Sequence, residues 1–181
     1  MIKYTYETER LIMQVLPVSE AERVLNFMSK NTETFDKYEP ARDKDFFTID
    51  YQRRLLSAEQ QVFLKGGAAR FYVSLKEEPK TIIGCIHFYN ILHGPYESCM
   101  VGYKFDPDYH HHGYAEESLE KGIEIMFNDV KLNRIEATVM PNNIPSIKLL
   151  ERLDFEREGL LKKKLCINGQ WEDHYLYAKV K

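Results

Sequence analysis

The apolar positions change period several times along the 181-residue chain, and each change predicts an element. Residues 10–16, RLIMQVL, form a short apolar run of strand length. From residue 19 to 30 the apolar residues return at helical spacing, and Glu22 stands three positions after Ser19 as in a capping box. A second helix is expected over residues 48–65, stopped by Gly66-Gly67. Residues 70–75 and 81–89 read as strands joined by the charged turn KEEPK, and residues 98–105 as another strand. Ala115, Leu119, Ile123, Met126, Phe127 and Val130 then recur every three or four positions, which marks one face of a helix. Ile135, Ala137 and Val139 alternate with Glu136 and Thr138, so the period has become that of a strand. IPSIKLLERL, after Asn143, is a further helix ending near Asp154. Residues 162–167 and 171–180 flank Asn168-Gly169, a pair suited to a two-residue hairpin because both turn positions take positive φ.

This order predicts a mixed α/β protein: antiparallel strands, a strand–helix–strand–helix centre and a terminal hairpin, in one domain over residues 1–181. The least regular part is the charged stretch 33–47, which carries Pro40. Composition narrows the function. Twenty-five Lys and Arg against 28 Asp and Glu give a net charge of -3 without a basic run, which argues against direct nucleic-acid binding. Cys85, Cys99 and Cys166 are odd in number and form no CxxC pair, as expected of reduced thiols in the cytoplasm. The opening MIKYTYETERLIMQVLP has no apolar signal region and no membrane span, so a cytoplasmic protein without a membrane partner is expected. Oligomeric state is not specified, and a homodimer is compatible with the sequence.

DYHHHGYAEE, residues 108–117, sets three histidines against a glycine, between the strand MVGYKF and an amphipathic helix. Neighbouring side chains on an extended loop diverge and no second ligand cluster lies nearby, so no metal is expected. A strand–loop–helix junction aims unpaired N–H groups and the positive end of the helix dipole at one point, and glycine lets an anion approach the backbone. The loop has neither GxxxxGK[ST] nor GxGxxG.

His110-x-x-Gly113-x-Ala115 resembles the Q/R-x-x-G-x-G/A loop of the GCN5-related N-acetyltransferases (GNAT), with His110 where Gln or Arg is usual. NIPSIKLLERLDF, residues 143–155, is similar to that family's N-x-x-S-x-x-x-L-E-K-L-G-F segment. The ending INGQWEDHYLYA and the opening TERLIMQVL resemble its RimJ/RimL branch, nearest the RimJ type, which acetylates N-terminal amines of ribosomal proteins. The resemblance covers nearly the whole chain. It implies the GNAT fold, a mixed and mainly antiparallel sheet of about seven strands, splayed at strands 4 and 5 and flanked by about four helices. It also implies acetyl-CoA as co-substrate. The backbone of His110, His111, His112, Gly113, Tyr114 and Ala115 would hold the pyrophosphate, and Tyr103, Lys104 and Phe105 would pair with the pantetheine arm. Gly102 is then either the family's strand bulge or a strand glycine without a role.

Acetyl transfer needs a bound donor, a neutral amine, oxyanion stabilisation and a proton for the departing thiolate. The resemblance gives Asn143 a contact with the cofactor, although it also fits as a helix-start residue. Ser146 is the candidate proton donor, because Leu150 stands where relatives place Tyr. Relatives place a Glu at the positions of Leu165 or Met100, and neither carboxylate is present. Glu97, at the mouth of the same strand as Met100, is the candidate base acting through water, with His87 and Tyr89 as reserves on the acceptor side. Trp171, Tyr175 and Tyr177 form a period-two stripe expected to pack in the core, while Asp173 among them is a candidate partner for a cationic acceptor amine. An α-amine, with a pKa of about 7.7–8.0, is neutral on the order of a tenth of the time at pH 7, and a lysine amine at about 10.4 far less. The expected acceptor is therefore the N-terminal amine of a ribosomal protein. A polyamine or aminoglycoside acetyltransferase and a non-catalytic acyl-CoA-binding module are the alternatives.

Overall fold

The structure, a computed structural model, describes residues 2–181. Its strands are β1 Thr5–Glu7, β2 Leu11–Gln14, β3 Ala69–Leu75, β4 Gly84–Leu92, β5 Ser98–Phe105, β6 Arg134–Val139, β7 Glu156–Ile167 and β8 Gln170–Val180. Its helices are α1 Ala21–Lys30, α2 Thr32–Phe35, α3 Ile49–Leu64, α4 Tyr114–Asn128 and α5 Ile144–Arg152. The strands form one 8-stranded sheet in the order β1-β2-β3-β4-β5-β6-β8-β7. Every neighbouring pair is antiparallel except β5 and β6.

The extra strand is β1, too short to show a period, and the extra helix is the single turn α2. Within the irregular stretch 33–47, buried Phe35 and Phe46 anchor the chain, and the Arg42 guanidinium lies 4.1 Å over the Phe46 ring. The expected capping box at Ser19 does not form. Ser19 lies inside a 3-10 turn, α1 starts after Glu20, and the Glu20 carboxylate bonds Arg23 at 2.8 Å instead of capping the helix. Thr48 does cap α3, accepting from the Tyr51 N–H at 3.3 Å.

Two cores lie on opposite faces of the sheet. One joins Met13, Phe71, Ile86, Phe88, Val101 and Ile135 to α4 and α5; the other joins Tyr72 and Cys85 to α1 and α3. Leu119 and Met126 are fully buried under α4. Each such side chain contributes about 1.5–3 kcal/mol, more than an exposed pair such as Lys121–Glu124 at about 0–1 kcal/mol. The apolar stripe therefore seats the helix. Its approach is close because Gly122 has no side chain: a Cβ there would lie 2.7 Å from the Phe88 ring.

The sheet opens between its two parallel strands. β5 and β6 pair only at Ser98–Arg134, Cys99–Ile135 and Met100–Glu136. Beyond that, β5 stays with β4 as far as Phe105–Gly84, while β6 stays with β8 as far as Val139–Tyr175. Gly102 is not a bulge, since it sits in unbroken register opposite His87. The irregularity lies in β4 between Tyr89 and Leu92, where Asn90 has φ 51°. The opening arises because each strand follows its other neighbour, without an inserted residue in β5.

Candidate active site

Past Phe105 the chain makes a 3-10 turn, Pro107–Tyr109, capped by Asp106, whose carboxylate accepts from the Asp108 N–H at 3.0 Å. His111 and Gly113 follow in left-handed conformations, φ 65° and 80°. The N–H groups of Tyr109 and His110 donate to the carbonyls of Asp106 and Pro107. Those of residues 111–116 have no acceptor among the described residues, and the next, Glu117, closes the first helical turn on the Gly113 carbonyl at 3.0 Å. A run of free amides at a helix N-terminus is an anion site built from backbone.

The histidine side chains serve the loop. His110 Nε2 donates to the Phe105 carbonyl at 3.1 Å, and the His112 ring stacks on Tyr114 with centroids 5.5 Å apart. Among the described residues, no three His, Cys, Asp or Glu side chains are grouped to share a metal ion. Arg10 fixes the loop from β2's end of the sheet: its Nη1 donates to the His112 carbonyl at 2.9 Å, its Nε to Glu117 Oε2 at 2.7 Å, and its guanidinium covers the Tyr114 ring at 4.7 Å. Thr8 Oγ1 and the Arg10 N–H donate to Glu117 Oε1 at 2.5 and 2.9 Å. Burial alone would raise the Glu117 pKa, but these donors bring it below the usual carboxylate range. The sequence reading missed Thr8 and Arg10 together with Glu117, from which both lie more than a hundred residues away; the only local signal was the acidic pair Glu116-Glu117 in a first helical turn.

Across the opening, Ser146 Oγ lies 2.7 Å from the Tyr103 hydroxyl. Asn143 acts as the N-cap of α5, its Oδ1 accepting from the Ser146 N–H at 3.3 Å. Burial pushes the Tyr103 phenol above its ordinary value, more than Ser146 and Arg152 lower it, so it stays protonated. Its side chain was not singled out from sequence. Leu150 is buried at 1% exposure, which leaves the phenol position to β5. The Lys104 side chain turns to the other face, bonding Glu39 at 2.7 Å above the Phe35 ring, and Phe105 is in the core.

On that other face, the register sets His87 beside Gly102 and Tyr89 beside Met100, next to the point where β5 and β6 part. Arg70 Nη2 donates to His87 Nδ1 at 2.9 Å. A guanidinium only donates, so Nδ1 accepts and the neutral ring carries its proton on Nε2. Burial, followed by the charges of Arg70 and Lys104, lowers the His87 pKa to about 3. The ring therefore has no basic nitrogen to offer an amine.

The structure does not bring Glu97 to this group. It lies at the β4–β5 turn, before the paired end of β5, where His93 Nδ1 and the Gly94 N–H each hold its carboxylate at 2.9 Å. The His93 bond, reinforced by Gly94, lowers its pKa, which weakens it as a base. Asp173 accepts from the Lys163 N–H at 2.8 Å, at the irregular part of the β7–β8 pairing. The aromatic stripe divides: Tyr177 is buried, Tyr175 is half-buried under Arg157, and Trp171 is 63% exposed. Trp171 departs from the expected core packing because the hairpin runs past the last β6 pair, Val139–Tyr175, and has no helix beneath it to complete a core. Opposite Leu165 the register places Glu172, a carboxylate the sequence reading overlooked.

An opened parallel pair with free amides at its end is the architecture expected of an acyl-CoA-dependent N-acetyltransferase, and residues 10–156 match the acetyltransferase (GNAT) domain. The chain belongs to that family. It is 33% identical over 177 residues, 97% of this chain and 90% of the other, to the [ribosomal protein uS5]-alanine N-acetyltransferase of Escherichia coli. It is 30% identical over 168 residues, 93% of this chain and 92% of the other, to the probable N-acetyltransferase YjcK of Bacillus subtilis. The crystal structure of a ribosomal-protein-S5-alanine acetyltransferase from Vibrio fischeri superposes with a TM-score of 0.93 at 32% identity, covering 98% of this chain and 97% of that one. RimJ of Mycobacterium smegmatis, solved with CoA-disulfide, superposes with a TM-score of 0.88 at 28% identity, covering 94% and 81%. The protein is an N-acetyltransferase that uses acetyl-CoA and an amine acceptor. Among the described residues, no helix is long and apolar enough to cross a membrane.

Proposed function

We propose that the enzyme acetylates the N-terminal α-amine of a protein, with the alanine-type N-terminus of a ribosomal protein as the acceptor class. The backbone amides of residues 111–116 fit a pyrophosphate, and Gly113 holds φ 80° among them, a conformation that a β-branched side chain would strain. The unpaired edge of β5 from Val101 to Phe105 is free to take the pantetheine arm as an added strand. The acceptor nitrogen attacks the thioester carbonyl carbon, the C–S bond breaks, the thiolate takes a proton from the Tyr103–Ser146 hydroxyl pair, and the proton lost by the nitrogen passes to solvent water, which restores the pair.

The observation that carries the acceptor class is the state of His87, whose accepting nitrogen is occupied by Arg70. Without an imidazole base beside the transfer point, an amine already partly neutral at pH 7 is favoured. The near full-length likeness to an enzyme named for an alanine of ribosomal protein uS5 supports the same choice.

Coenzyme A release tests the proposal with four acceptors: a peptide beginning with alanine, the same peptide N-terminally blocked and carrying an internal lysine, spermidine, and an aminoglycoside. The free N-terminus is expected to react fastest at pH 7. Preference for the blocked peptide or a small amine would overturn the assignment. Acetyl-CoA binding without coenzyme A release for any of the four would reduce the protein to an acyl-CoA-binding module.

A further inference from the structure

A cavity of about 320 Å³ lies between α3 and the β3–β4 pair, walled by Leu55, Ala58, Val62, Arg70, His87 and Tyr89. It adjoins the transfer point, because His87 and Tyr89 are the register neighbours of Gly102 and Met100. Its polar side has an unusual construction. Glu59 Oε1 is 2.8 Å from Arg70 Nη1, yet it and Arg70 Nε are buried without a hydrogen-bond partner. Arg70 instead directs Nη2 at His87, as described above. His87 Nε2 has no protein partner among the described residues and is not one of the sealed, unpartnered atoms. The Arg70 contact thus orients a neutral imidazole with one N–H left for a ligand.

Resting on the N-terminal reading above, we propose that this cavity receives the first residue of the acceptor peptide, with His87 Nε2–H donating to its backbone carbonyl and Arg70 acting as the positioning residue. A carbonyl next to the reacting amine distinguishes a peptide N-terminus from a simple alkylamine. Recognition of that oxygen restricts where the α-nitrogen, three bonds away, can lie. The Glu59–Arg70 pair leaves the cavity without net negative charge from these two groups, so it gives a polycation such as spermidine no electrostatic advantage. The apolar wall of Leu55, Ala58 and Val62 accepts an uncharged side chain.

Protonation does not disturb the arrangement at working pH. The groups facing the ring are Arg70 from β3, Glu59 from α3, Tyr89 from β4 and Lys104 from β5. Burial and the two cations hold the imidazole neutral down to about pH 3. The neutral ring keeps Nδ1 as an acceptor for Arg70 and Nε2–H as a donor for substrate.

His87→Phe and Arg70→Met test this with an alanine-initiated hexapeptide, its analogue with an ester in place of the first peptide bond, and butylamine. For the hexapeptide, His87→Phe is expected to raise KM about tenfold with a smaller change in kcat, as for loss of one ground-state hydrogen bond. The loss for butylamine should be several-fold smaller. The ester, a weaker carbonyl acceptor, should react less efficiently than the hexapeptide with the native enzyme, and that difference should vanish in His87→Phe. Arg70→Met should let His87 titrate nearer about 6.5, adding an acid limb to the kcat/KM profile for the hexapeptide that Arg70→Lys lessens. Equal losses for hexapeptide and butylamine, or an unchanged KM, would overturn the carbonyl contact. Native enzyme that acetylates butylamine but no peptide would instead overturn the N-terminal reading, and this proposal with it.

Discussion

The Tyr103 hydroxyl lies 2.7 Å from Ser146 Oγ, joining the free part of β5 to the first turn of α5. In the proposed mechanism the two hydroxyls act as one proton-donating unit, and residues that act as a unit respond non-additively to mutation. Tyr103→Phe and Ser146→Ala are each expected to lower kcat about 10²-fold, the lower end for a positioned general acid, with acetyl-CoA affinity within threefold. The double variant should be no more than about threefold worse than the weaker single. Steady-state kinetics and calorimetric acetyl-CoA titration check this; multiplicative losses would mean that the two act separately.

Gly113 adopts φ 80° at the start of α4, among the free amides. Gly113→Val is expected to abolish calorimetrically detectable acetyl-CoA binding while costing only about 1–2 kcal/mol of stability for the strained backbone. Replacing His110, His111 and His112 by Ala should weaken binding less than tenfold, as the backbone cradle proposed above requires. Circular dichroism and urea unfolding check that the fold is retained.

Acid stability should report the clamp from Arg10 and Thr8 on Glu117. The folded pKa of Glu117 lies below the unfolded value of about 4.3. Its stabilisation is fully present above that value and is lost as pH falls through the folded pKa. Arg10 is 45% exposed at its side chain, so solvent screening keeps the contribution to about 1 kcal/mol or less. Urea midpoints between pH 7 and 3 should fall less steeply in Glu117→Gln than in the native protein.

The pH–rate profile should contain a single rise. For an N-terminal peptide, kcat/KM is expected to increase through about pH 7–8 as the amine deprotonates. It should show no fall below pH 9, because burial holds the Tyr103 phenol above its ordinary value of about 10. Glu97→Gln should change kcat/KM less than twofold, as its carboxylate is engaged by His93 and Gly94.

Local pattern was enough for much of the architecture. The run 98–105 gave β5 to the residue, the three-and-four spacing after Gly113 gave α4, and Asn168-Gly169 turns the last hairpin with both residues at positive φ. These features depend on near neighbours, and the run of free amides over residues 111–116 belongs with them because strand, glycine and helix adjoin in sequence. Strand β1 and helix α2 were hidden because three or four residues are too few to display a period.

The site's side chains were decided by the tertiary structure. Arg10 reaches His112 and Glu117 only because β2 lies in the same sheet beneath α4; Tyr103 meets Ser146 only because β5 and β6 part; Arg70 fixes the His87 tautomer through the β3–β4 register. The same register logic separates Glu97 from the transfer point and puts Glu172 opposite Leu165. Sequence alone determined the longer helices and strands and the junction where backbone amides are left free, because those follow from periodicity and local φ. Which acids, phenols and imidazoles face one another depends on strand order and register, set by the burial of both sheet faces at once, and no local stretch of the chain encodes that.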